Sequence, residues 1–94
     1  MNIEKLIKEK LAVLVDVRTA IEFSGGHVAG SINIPLQEIT KRLDEIKEIE
    51  GPLVLCCASG NRSYIAAQWL SGQRVICFNG GAWLEVNFYQ SQTV

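Results

Sequence analysis

Cys57 is the residue best placed to do chemistry in this chain. It opens the stretch Cys57-Ala58-Ser59-Gly60-Asn61-Arg62-Ser63, directly after the apolar run Leu53 to Cys57. The run reads as a strand, and a helix begins at about Arg62. The loop between them is therefore very short. A loop this tight must turn its amide N–H groups toward the strand end, and Gly60 permits a backbone conformation closed to most residues. The outcome is a nest of backbone donors on the positive end of a helix dipole, with the Cys57 thiol at its centre. Such surroundings lower a thiol pKa from ~8.5 by about one to several units. The thiolate then exists near neutral pH without a general base, so the single histidine, His27, is not needed as the partner of a Cys–His pair. Following Gly25-Gly26, His27 reads instead as a turn residue bonding backbone carbonyls.

The other two thiols read differently. Cys56 neighbours Cys57 on a strand and must face the opposite side of the sheet. Cys77 lies within the run Val75 to Phe78. Both are expected to be buried packing residues, the alternative being a resolving partner in a disulfide. Three cysteines, two of them adjacent, cannot form a disulfide framework and fit a reducing, cytoplasmic setting. No CxxC pair is present, and neither a metal nor a cofactor is called for.

The elements that position Cys57 follow from periodicity. Leu11 to Val17 and Leu53 to Cys57 are Val- and Leu-rich runs of the kind buried on both faces of a parallel sheet. Ser31 to Ile34 alternates and stops at Pro35, a short strand near an edge. Val75 to Phe78 is a further strand, followed by an Asn79-Gly80-Gly81 turn. Between the strands lie an N-terminal helix over residues 1–10 capped by Asn2, a turn of helix over Thr19 to Phe23, and an amphipathic helix carrying Leu36, Ile39, Leu43 and Ile46. A helix over Ser63 to Leu70 buries Ile65, Ala66, Trp69 and Leu70, and a last one spans Ala82 to Phe88. The tail, residues 90–94, is polar and expected to fray. Alternating strands and helices predict an α/β fold, a small parallel sheet of four to five strands sandwiched between helices. Ligands of such sheets bind beyond the carboxyl ends of the strands, where Asp16-Val17-Arg18, the Cys57 loop and Asn79-Gly80-Gly81 all fall.

Composition sets the outer limits. The chain has 94 residues, 48% apolar and 20% charged, which fits one globular domain over residues 1–94. Nine Lys and Arg against ten Asp and Glu give a net charge of −1, which argues against nucleic acid or an anionic membrane as partner. No apolar run approaches the roughly 18–20 residues that span a bilayer.

Three motifs in order carry a family resemblance. Val15 to Leu36 (VDVRTAIEFSGGHVAGSINIPL) has a DVR strand end, an E-aromatic pair, GH, and G-x-x-N-I-P. CASGNRS is followed by a Tyr-Ile-Ala-Ala helix. FNGGAWLE closes the series. Together they resemble the single-domain rhodaneses, sulfurtransferases, from about Val13 to Trp83. The resemblance implies that Cys57 is a nucleophile carrying a persulfide held by the amides of Ala58, Ser59, Gly60, Asn61, Arg62 and Ser63. It also implies a small anionic sulfur donor such as thiosulfate. The acceptor would be cyanide or a thiol, with thioredoxin or a sulfur-relay protein as a candidate partner. Phosphatases and arsenate reductases are the competing chemistry. Their loops resemble C-x5-R, whereas four residues separate Cys57 from Arg62, a ring better suited to one sulfur atom than to a phosphoryl group. A catalytically silent, partner-binding rhodanese-like module is the other alternative.

The remaining candidates support the loop. Asp16 is expected to brace it or the following turn, and Arg18 to add positive potential. Arg62 either faces the substrate anion or points outward to Glu22 or Glu85. Ser59 and Asn61 would line the mouth, and Trp83 is a pocket wall or a core residue.

Overall fold

A computed structural model describes residues 2–92. Four strands form one parallel sheet: β1 (Val13–Asp16), β2 (Ile32–Asn33), β3 (Leu53–Cys57) and β4 (Cys77–Ala82), in the order β2-β1-β3-β4. Helices α1 (Ile3–Lys8), α2 (Ala20–Ser24), α3 (Leu43–Lys47), α4 (Asn61–Gly72) and α5 (Trp83–Ser91) alternate with them. This is the α/β fold expected of the sequence, a small parallel sheet of four strands with helices between them.

Side-chain alternation along β3 sorts the core into two layers. Leu53, Leu55 and Cys57 face one way, with Val15, Ile46, Ala66 and Leu70 around them. Val54 and Cys56 face the other way, toward Leu6, Ile7, Leu14 and Val86 of α1, β1 and α5. All five β3 residues are buried, the condition of a parallel strand covered on both faces.

The helix ends follow local chemistry. Asn2 Oδ1 accepts the Lys5 N–H at 3.2 Å and starts α1. Thr19 and Glu22 form a reciprocal capping box on α2, with Thr19 N–H on Glu22 Oε1 at 3.0 Å and Glu22 N–H on Thr19 Oγ1 at 3.2 Å.

Several boundaries differ from the sequence expectation. Of the helix expected over residues 1–10, Ile3–Lys8 are helical, Asn2 and Glu9 cap them and Met1 lies outside the described residues; half-exposed Leu11 lies outside β1. The segment with Leu36, Ile39, Leu43 and Ile46 is not one helix but a 3₁₀ turn over Leu36–Glu38 followed by α3. Its first apolar step is three residues, the repeat of a 3₁₀ turn, and all four side chains still pack on the first core layer. Ile65 is exposed, while Ala66 and Leu70 are buried and Trp69 is half-buried. Asn79-Gly80-Gly81 is not a turn; it lies within β4. A register shift opposite Leu55 and Cys56 takes up the extra residue, with Gly81 at φ +84°. A Cβ on Gly80 would lie 2.6 Å from Val54 Cγ1, so the strand crosses β3 only as glycine. Helix α5 continues through Ser91, so Gln90 and Ser91 belong to it and not to a frayed tail. Thr93 and Val94 lie outside the described residues.

Candidate active site

The carboxyl ends of β1, β3 and β4 meet at one edge of the sheet, where Asp16 pairs with Cys56 and Cys57 with Ala82. Beyond β3 the chain turns through Ala58 and Ser59. It reaches Gly60 at φ +101°, ψ −8° in the left-handed region, and enters α4. That conformation aims the Gly60 N–H back at the strand. It donates to Cys57 Sγ at 3.0 Å, and Ser63 adds its N–H at 3.5 Å and its Oγ at 3.4 Å. The sulfur thus sits on the N-terminus of a 12-residue helix.

Opposing effects act on this thiol. Burial pushes its pKa up, but the Ser63 hydroxyl and the amides of Ser63, Gly60 and Ser59 stabilise the thiolate more, and the net shift is downward. The contrast with Cys56 isolates the cause. Burial, aided by the Asp16 charge, pushes the Cys56 thiol up to about 12, and no cup of amides opposes it. Burial likewise raises Cys77. Cys57 is 1% exposed, so the sulfur lies at the floor of the cup. Ala58, Ser59 and Asn61 form its exposed rim, and Gly60 is itself buried.

Asp16 and Arg18 form a buried ion pair beside the cup. Arg18 Nε donates to both Asp16 oxygens at 3.0 Å, and Arg18 NH2 adds a bond at 2.7 Å. NH2 also donates to Gly26 O at 2.7 Å, and the guanidinium lies 4.6 Å from the Trp83 ring centroid. Asp16 therefore acts on the 24–26 turn through Arg18. Asn33 Nδ2 ties both backbones together through Asp16 O and Arg18 O. Trp83 serves as the floor under Arg18 and as part of the second core layer.

Arg62 turns away from the sulfur. Its NH1 and NH2 donate to Glu22 Oε1 and Oε2 at 2.7 and 3.1 Å. Its pKa rises through that hydrogen bond, and Glu22 falls to about 2, chiefly through Arg62 and then the Thr19 N–H. His27 Nδ1 lies 2.7 Å from Phe23 O, and its ring stacks on Phe23 at 3.7 Å.

One site residue escaped the sequence reading. Asn79 Oδ1 accepts from Ser63 Oγ at 2.7 Å and Gly81 N–H at 3.0 Å, and Asn79 Nδ2 donates to Gly60 O at 3.1 Å. The signal was available: Asn79 stands at the end of an apolar run, beside the cysteine strand. Treating Asn79-Gly80-Gly81 as a turn concealed it.

Cys77 cannot pair with Cys57. It sits opposite Leu53 at the start of β3, and four strand residues separate the two sites by roughly 13 Å, far beyond disulfide reach. A cavity of about 560 Å³ lies at the other end of β1 beside Lys10, Ala12, Val13, Ala29 and Gly30. No cysteine lines it, and the Cys57 cup lies at the opposite end of the strands.

Residues 2–84 match the rhodanese-like domain family. The chain belongs to the rhodanese-like family. This rhodanese-like chain is 35% identical to thiosulfate sulfurtransferase GlpE of Pseudomonas syringae pv. syringae, across 94% of the chain and 85% of that protein. It is 46% identical over 59 residues to the uncharacterized protein YqhL of Bacillus subtilis, where the match covers 63% of the chain and 46% of that protein's length. A rhodanese-related protein from Thermoplasma volcanium superposes with a TM-score of 0.78 at 26% identity, over 96% of the chain and 88% of that structure. Among the described residues, no helix is long and apolar enough to cross a membrane.

Proposed function

We propose that this chain is a sulfurtransferase that carries sulfane sulfur as a persulfide on Cys57. The Cys57 thiolate attacks the outer sulfur of thiosulfate, the S–S bond breaks, and sulfite leaves with the bonding pair. The terminal sulfur of the persulfide then bears the charge. Cyanide or a thiolate attacks that sulfur and the Cys57 thiolate is regenerated, a ping-pong cycle. No proton has to be taken from Cys57 during the chemistry, in keeping with His27 being bound to Phe23 O.

The observation that carries this reading is the set of Gly60 and Ser63 donors on a single sulfur atom. They stabilise the thiolate now, and the cup they belong to suits an anionic sulfur one bond further out. The covered position of Cys57 favours a slender reactant over a phosphoryl group. The likeness to a protein named thiosulfate sulfurtransferase supports the same chemistry.

The test is thiocyanate formation from thiosulfate and cyanide, run beside aryl phosphate hydrolysis. The reading expects thiocyanate formation lost in Cys57→Ser and no Cys57-dependent phosphate release. Phosphate release abolished by the same substitution would favour phosphatase chemistry, and neither activity would favour a silent binding module.

A further inference from the structure

The Arg62 guanidinium belongs to a residue of the cysteine loop but is spent elsewhere. The next residue, Ser63, places its N–H 3.5 Å from the sulfur, so the Arg62 backbone borders the cup. Its side chain leaves toward α2, where each carboxylate oxygen of Glu22 takes one of its terminal nitrogens. Glu22 is not free to follow a moving arginine. The Thr19 N–H and Oγ1 hold its Oε1 at 3.0 and 3.1 Å as part of the α2 cap. A fixed carboxylate therefore sets the direction of a mobile cation, and both groups are only about two-thirds covered, at 34% and 37% exposure.

We infer that Glu22 is a specificity-determining residue: by anchoring Arg62 away from the cup, it lowers the preference of the site for doubly charged sulfur donors. The inference rests on the sulfurtransferase reading above. With Glu22 in place, the incoming donor meets amide dipoles at the sulfur and a neutralised pair at the rim. Freed, Arg62 would bring a full positive charge and a planar two-donor fork to the mouth, the group best suited to an oxyanion. The gain should scale with donor charge. Thiosulfate carries two negative charges and methanethiosulfonate carries one, while both deliver the same outer sulfur.

Glu22→Gln separates the charge from the fold, because glutamine can still accept the Thr19 N–H in the cap. Steady-state kinetics with cyanide as acceptor should show KM for thiosulfate falling about five-fold and KM for methanethiosulfonate about two-fold, a size typical of one partly exposed charge-assisted contact. The kcat for both donors should change less than about two-fold, because the contact is made before the S–S bond breaks. In an Arg62→Ala background, Glu22→Gln should bring no further gain, since the effect runs through Arg62. Unchanged KM values, or a gain that persists without Arg62, would overturn the inference while leaving the sulfurtransferase reading intact. A wild type showing no Cys57-dependent transfer from either donor would overturn that reading and the inference with it.

Discussion

Asn79 Nδ2 donates to the Gly60 carbonyl at 3.1 Å, and the Asn79 oxygen accepts the Ser63 hydroxyl at 2.7 Å. Strand β4 thereby grips the cysteine loop at Gly60 and Ser63, two of the residues whose N–H groups act on the sulfur. Removing the grip should loosen the cup without touching the nucleophile. Asn79→Ala is expected to cost about 1–2 kcal/mol in urea unfolding, the range for leaving buried partners unpaired, and to slow persulfide formation while Cys57 remains alkylatable. Unchanged stability and an unchanged loading rate would contradict this role.

The donors on Cys57 also fix a pH dependence. Its thiol pKa is lowered, so the iodoacetamide alkylation rate should rise with pH through a midpoint below the ordinary cysteine value. Cys56, near 12, and Cys77, also raised, stay protonated through that window, so the titration belongs to Cys57. Ser63→Ala removes the hydroxyl donor, and the midpoint should move upward. Alkylation near neutral pH should slow about two- to ten-fold, the range set by a net hydrogen bond of about 0.5–1.5 kcal/mol. A midpoint that stays put would show that the hydroxyl does not stabilise the thiolate.

Two glycines should separate folding from chemistry. Gly60 holds φ +101°, and a Cβ there would lie 3.3 Å from Gly81 Cα. Gly60→Ala should cost about 1–2 kcal/mol and also misdirect its N–H, reducing sulfur transfer. Gly80→Ala meets Val54, Leu55 and Val86 within 3.1 Å. It should destabilise by about 1–3 kcal/mol through overpacking, while the molecules that remain folded keep the alkylation midpoint of the wild type.

The two ion pairs at the site should differ sharply in energy. Asp16 and Arg18 are 0% and 5% exposed, so Asp16→Ala strands a buried guanidinium and should cost about 3–5 kcal/mol. The Arg62–Glu22 pair is partly solvated, and Arg62→Ala should change stability by less than about 1 kcal/mol. Urea midpoints in the reverse order would contradict the burial argument.

The parts legible in the sequence are those where one local pattern met no competitor. Leu53–Cys57 is a short, unbroken apolar run, and its bounds match the strand. Gly60 after a strand-end cysteine announced the left-handed entrance to α4, and adjacency alone placed Cys56 and Cys57 on opposite faces. The sequence was less informative where distant contacts overrode local signals. Asn79-Gly80-Gly81 carries turn residues, but pairing with β3 draws them into a bulged strand, and this hid the role of Asn79. The 36–46 segment kept its inward side chains while its backbone broke into two turns. Of the partners open to Arg62, only the three-dimensional approach of α2 selects Glu22.

The central claim is that the Cys57 sulfur accepts one further sulfur atom within its cup of amides. Intact mass spectrometry after incubation with thiosulfate and removal of excess reagent tests it most directly. The account predicts a gain of one sulfur atom, released on adding cyanide and absent from Cys57→Ser. A wild-type mass that does not change, or an equal gain in Cys57→Ser, would contradict it.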